Sequence, residues 1–236
     1  MTYLTLSVAT RQECRINGTG PTTVISQTGL LKDIVDWVSQ AYTEIQLART
    51  EWRWLRSTFT VSATSGDDTY AGTDCTDSRL SAAVTRFSYW WPLDADGDSN
   101  VTIYLTSSGV ADERPLVYLE WEDFRYRYKR GTQTNAYPIH FAIDPQNNLV
   151  LGPKPNATYT VNGEYQMSPQ TLSANADVPE MPARFHNLIM YRAMEKYGAA
   201  KGAIEVFHRG GLEGNRLMRA LERDQLPPVT LAGPLT

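Results

Sequence analysis

The chain has 236 residues, with 22 Lys and Arg against 26 Asp and Glu. A net charge of −4 and a pI near 5.4 argue against a sequence-reading nucleic-acid module, which needs a basic patch. Hydrophobic residues at 42% supply an ordinary core for one large domain, or for one domain with an appendage. No run approaches ~18 consecutive apolar residues, and the start MTYLTLSVATRQECRI lacks the pattern of a signal peptide; no membrane association and synthesis in a cytoplasm are expected.

Residues 1–27 are rich in Thr, Gly and Ser and read as an N-terminal arm, an irregular lead-in. Between Leu30 and Trp54 the pattern changes. Leu31, Ile34, Val35, Val38, Ala41, Tyr42, Ile45 and Ala48 follow the spacing of an amphipathic helix, with Thr28 as its N-cap. Trp52 and Trp54, two positions apart, cannot share one helix face, so one is expected to seal the core and the other to contact a second element. A strand starts near Ser57, where Phe59, Val61 and Ala63 alternate with small polar residues. After the turn Ser65–Asp68, Tyr70 begins a return strand.

From about Val84 to Tyr165 the chain reads as β structure. The expected strands are Arg86–Trp91, Val101–Thr106, Leu116–Leu119, Ile139–Ile143, Leu149–Leu151 and Tyr159–Gln166, separated by Gly-, Asn-, Asp- and Pro-rich turns. Trp121, Phe124 and Tyr128 have helical spacing and mark a short helix within Glu120–Arg130. The end is helical again. A stripe over Arg184–Ala200 follows Pro179 and Pro182, and a second helix runs over Ala203–Phe207 and again over Leu212–Asp224, with a break expected at Gly210-Gly211. Residues 226–236, with Pro227, Pro228 and Pro234, cannot continue it and read as an extended tail. The fold class is therefore α+β. A helical bundle from 28–56 and 179–225 joins a central, mainly β domain over 57–178, an antiparallel sheet or small sandwich.

The search for chemistry finds little. Asp94, Asp96 and Asp98 resemble the start of a calcium loop, but Ser99 stands where the glycine belongs and Leu105 where a bidentate Glu belongs, so a hairpin tip is the expectation. Cys14 and Cys75 lie 61 positions apart with no CxxC; a single disulfide and two free thiols both remain open, the thiols being simpler. His140, His186 and His208 fall in three elements with no nucleophile elbow or papain-like cysteine context. Arg125, Arg127, Lys129 and Arg130, interleaved with Tyr126 and Tyr128, form either a nucleic-acid-binding strip or a solvated face, the latter favoured. Thirteen Tyr and six Trp fit a tyrosine-rich sheet and a protein interface equally well. Neither a catalytic site nor a cofactor or metal site is expected.

The order of features carries more than any one motif. An amphipathic helix leads into Trp52-Arg53-Trp54-Leu55 and a strand near Phe59. Arg114-Pro115-Leu116, the Glu122–Tyr128 segment and Tyr137–Ile143 follow, then Leu149–Pro155, Tyr159, Gly163-Glu164-Tyr165 and Asp177–His186. Over residues 30–200 this succession resembles the head–tail adaptor (connector) proteins of tailed bacteriophages. The resemblance implies a structural virion protein at the head–tail interface, not an enzyme. Such a protein forms a dodecameric ring below the portal protein, meets a tail protein (nozzle or tail tube) and lets DNA pass without specific binding. In that family the C-terminal segment commonly reaches the portal, which makes Pro227, Pro228, Val229, Leu231 and Leu235 candidate portal contacts. Two alternatives stay open: another tail-completion or baseplate component, and a carbohydrate-binding module using Trp90, Trp91, Trp121 and Glu120, with Glu122 and Asp123 beside them.

Overall fold

The structure, a computed structural model, describes residues 1–227. It is α+β, with five α-helices and mostly antiparallel sheets among the described residues, and it divides into two units. The helical unit comprises Met1–Leu55 and the chain from Pro169 on; the β unit comprises Arg56–Ser168.

The helical unit begins with a helix where an irregular arm was expected. α1 spans Tyr3–Glu13, and the Thr2 hydroxyl caps it by accepting from the Thr5 amide at 3.2 Å. Its buried positions, Tyr3, Leu6, Ser7 and Thr10, follow helical spacing, but two of them are polar. The Ser7 and Thr10 hydroxyls donate to the carbonyls four residues back, at 2.9 and 2.8 Å, which lets them lie in the core without an unmet bond. Tyr3 anchors the helix by donating to the Val35 carbonyl at 2.9 Å.

α2 spans Gly29–Leu47 after Thr28, and buries Ile34, Val35, Val38, Ala41, Tyr42 and Ile45 as its spacing predicts. A 3-10 turn, Arg53–Leu55, follows. There Trp52 is fully buried and donates to the Ile45 and Gln46 carbonyls, both at 3.1 Å. Trp54 stacks on it with centroids 4.4 Å apart. The two rings thus pack together rather than facing different elements, because the turn is not the helix on which the opposite-face argument depended.

Of the later helices, α3 belongs to the β unit. α4 spans His186–Lys201 and α5 spans Ile204–Gln225, and α4 packs against α1, α2 and α5. Gly202, at φ +67°, ends α4 in the left-handed conformation that glycine adopts without penalty. α5 runs unbroken through Gly210-Gly211, against expectation. Gly210 is buried against the α4 backbone, and a Cβ there would lie 2.8 Å from both the Glu195 nitrogen and the Tyr191 oxygen. Gly198 does the same from α4, where a Cβ would meet the Phe207 nitrogen at 2.5 Å. These glycines let two helix backbones touch; they do not interrupt either one.

In the β unit, β1 (Arg56–Ala63) pairs antiparallel over its whole length with the last strand, β11 (Tyr159–Gln166), from Arg56↔Gln166 to Ala63↔Tyr159. Ser57, Phe59, Val61 and Ala63 point inward in strict alternation. Phe59 lies across from Gly163, which has no side chain to obstruct its ring. The other strands are β2 (Thr69–Tyr70), β3 (Thr76–Asp77), β4 (Ala82–Ala83), β5 (Tyr89–Trp91), β6 (Thr102–Leu105), β7 (Arg114–Pro115), β8 (Val117–Tyr118), β9 (His140–Ile143) and β10 (Leu149–Gly152). One sheet has the order β4-β3-β1-β11-β6-β7, with β5 also paired to β11. β6 and β5 share a single edge of β11, β6 on its first half and β5 on its second.

The second sheet has the order β2-β10-β9-β8. The return strand at Tyr70 belongs here: β2 pairs with β10, not with β1. The β8–β9 pair is parallel, a departure from the purely antiparallel sheet expected. α3 (Trp121–Tyr128) covers β9 and β10, with Phe124 packed on Ala142 and Val150. The Phe124 and Tyr128 rings sit where a Cβ on Gly152 would be, at 2.6 to 2.8 Å, so this glycine admits the helix to the sheet.

Candidate interaction surfaces

The sequence-predicted portal contacts fall at the C-terminal boundary. α5 ends at Gln225, Leu226 turns to extended φ −93°, ψ 152° as a residue before proline must, and Pro227 is exposed. Pro228, Val229, Leu231 and Leu235 lie outside the described residues.

Three surfaces stand out. A groove of about 400 Å³ runs between α2, α4 and α5, with Ala41, Ile45, Ala48, Ala199, Phe207 and Met218 as its apolar lining. Its charged rim is internally matched: Lys196 pairs with Glu44 at 2.6 Å, and Arg192 reaches both Glu195 at 2.8 Å and Asn215 at 3.0 Å. The second surface is the outward side of α5, where Ile204 and Leu212 are 67% and 73% exposed. The third is a polar cleft of about 460 Å³ on the large sheet, lined by Thr58, Thr60, Ser78, Thr102, Asn162 and Glu164 among others. There Thr60 donates to Asn162 at 2.8 Å and exchanges a 3.0 Å bond with Ser78, and Arg56 pairs with Glu164 while lying over the Trp91 ring.

The remaining sequence candidates resolve into local structure. Asp94 accepts from the Asp96 and Asp98 amides, both at 2.9 Å, in a hairpin tip between β5 and β6. Among the described residues, no group of three or more His, Cys, Asp or Glu is arranged to hold a metal ion. Cys14 and Cys75 are free and buried, one in each unit, and burial pushes each thiol up to about 12. The basic–aromatic strip is partly committed to local partners. Lys129 pairs with Asp68 at 2.8 Å, Arg125 pairs with Glu122, and Arg130 lies over Tyr126.

Tyr128 and His140 share a 2.7 Å bond, and burial, then Arg127, depresses that imidazole's pKa. His186 is buried with Nε2 3.0 Å from the Met181 carbonyl, and burial holds its pKa low as well. The tryptophans that the sugar-binding alternative would use do not offer their faces together. Trp90 is 3% exposed and packs on Phe59 and Phe87, whereas Trp121 stacks on Phe124 of α3.

Two features escaped the sequence. One is the outward stripe of α5, hidden by the break expected at Gly210-Gly211. The other is Asp77, which nothing in its polar stretch sets apart from Asp74, yet which proves 1% exposed and held by four donors.

With this geometry in place, a family profile described as SU10 adaptor protein matches residues 1–232. The chain belongs to this family. It is a phage adaptor by family, and the match takes in α1 and α5, beyond the 30–200 span over which the motif order resembled head–tail adaptors. No curated protein matches the chain. Among the described residues, no helix of the adaptor is long and apolar enough to cross a membrane.

Proposed function

We propose that this adaptor docks as a ring, of twelve copies, below the portal of a tailed phage, joins capsid to tail and leaves a channel for DNA. The observation that carries the reading is the family match across nearly the whole chain. The charge balance is compatible with it. Nine Lys and Arg stand against fourteen Asp and Glu in the β unit, and a wall of that sign repels passing DNA instead of trapping it. The C-terminal segment from Pro227 is the portal contact in this proposal, with Pro228, Val229, Leu231 and Leu235 as its side chains. It carries no charged side chain, and its three prolines limit the freedom lost when it binds in extended form. The β unit then meets the tail protein.

Deleting Pro227–Thr236 tests the contact. The truncated adaptor is expected to lose co-sedimentation with portal rings, by a factor of about 100 or more in affinity. Circular dichroism of the truncated protein checks that it remains folded, all of α5 being kept. Truncated protein that binds portal as the full chain does removes the tail from the interface. Binding by neither form, together with capture by a tail protein, moves the chain to tail completion.

A further inference from the structure

The outward stripe of α5 is not explained by packing within its own unit. Ile204, His208, Leu212, Arg216, Arg219 and Arg223 succeed one another at three- and four-residue steps, so they share one side of the helix, and all six are exposed. The opposite side holds the buried Gly210, Gly214 and Leu221. A surface helix ordinarily keeps its large aliphatic residues on the core side, yet Ile204 and Leu212 are among the most exposed hydrophobic residues described. The cations beside them are mostly uncommitted. Arg216 pairs with Glu213, but neither Arg219 nor Arg223 forms an ion pair among the described residues.

Phosphates and acidic protein surfaces both suit such cations. Phosphates, however, offer nothing to Ile204 and Leu212, whose removal from water needs apolar protein atoms. Carboxylates for these cations are present in the chain itself: the β unit carries a net five negative charges by its nine-to-fourteen balance, and Asp94, Asp96 and Asp98 are exposed together at one of its hairpin tips. The helical unit, with thirteen Lys and Arg against twelve Asp and Glu, is close to neutral. We infer that the α5 stripe docks on the β unit of a second copy, with Ile204 and Leu212 desolvated at the centre and Arg219 and Arg223 facing carboxylates. A contact between two unlike surfaces is heterologous, the kind that builds a ring where its rotation closes. This inference rests on the adaptor reading for its setting, copies side by side in a virion, but not for the choice of surface.

The test is photocrosslinking in virions, with a benzophenone amino acid at position 212 of the full-length chain. The expected product is a covalent adaptor dimer whose second peptide maps within residues 56–168. An adduct with portal, tail protein or DNA, a crosslink to the helical unit of another copy, or incorporated label without any crosslink each overturns it. Should the label at 212 prevent incorporation, the same label at 219 is read by the same criteria. Arg219→Glu combined with Arg223→Glu is expected to lower dimer yield about tenfold, whereas Lys at both positions preserves it. Mass spectrometry of unlabelled virions separates the two claims. Absence of the wild-type chain overturns the adaptor reading and this inference together, whereas its presence with a wrong crosslink overturns this inference alone.

Discussion

Replacing Asp77 by Ala is expected to cost about 2–4 kcal/mol of folding stability, because it leaves buried neutral donors without an acceptor. Asp77 ends β3 and is 1% exposed. One carboxylate oxygen accepts from the Ser57 hydroxyl at 2.8 Å and the Tyr165 hydroxyl at 2.7 Å; the other accepts from the Arg79 and Leu80 amides, both at 2.9 Å. Ser57 and Tyr165 are register partners on β1 and β11, so a single carboxylate ties three adjacent strands. Burial alone would raise its pKa, but these four bonds, Tyr165 first among them, outweigh burial and hold it below the ordinary 3.8.

The sign follows from that shift. The folded state binds its proton less readily than the unfolded state, so the stabilisation is complete above the unfolded pKa and is lost as pH falls through the folded one. Alanine leaves two hydroxyls and two amides without an acceptor. Asn is expected to cost less than Ala, since both hydroxyls can rotate to meet an amide. Urea unfolding followed by tryptophan fluorescence measures the difference. A loss below about 1 kcal/mol for Asp77→Ala would show that the network is not what fixes these strands.

Gly210 and Gly211 should respond to the same substitution with opposite signs. A Cβ at Gly210 lies 2.8 Å from two backbone atoms of α4, which cannot yield unless the helices separate. Overpacking of that kind outweighs the gain in helix propensity, and Gly210→Ala is expected to cost about 2 kcal/mol. A Cβ at Gly211 meets its nearest neighbour, Glu195 Oε1, at 3.6 Å, an ordinary contact. Gly211→Ala should therefore stabilise α5 by about 0.5–1 kcal/mol. Thermal unfolding of the two variants checks both signs. Stabilisation by both would mean that α4 and α5 do not approach as closely as described.

The parts of this fold legible in sequence were those in which apolar spacing alone carried the signal. The stripes of α2 and α3 locate both helices, and β11 is legible at Tyr159–Gln166 because its inward residues alternate as far as Tyr165. α1 was missed because its core face includes Ser7 and Thr10, polar residues whose hydroxyls are satisfied by their own helix. The continuity of α5 was missed for a related reason. Glycine spacing is read as a break unless the partner helix is known, and only the α4 backbone reveals that Gly210 is a contact. The partner of β2 was equally hidden, since a turn after β1 implies a hairpin and nothing local announces β10. Of the candidate surfaces, the tail from Pro227 was suggested by the family resemblance, and all of it but Pro227 lies outside the described residues. The stripe Ile204–Arg223 could not be read until α5 was one helix.

Docking on the portal is tested by electron microscopy of the full-length adaptor mixed with portal rings of the same virus. The expected result is an added tier that shares the portal's symmetry. Unchanged portal rings in the presence of folded adaptor would contradict it.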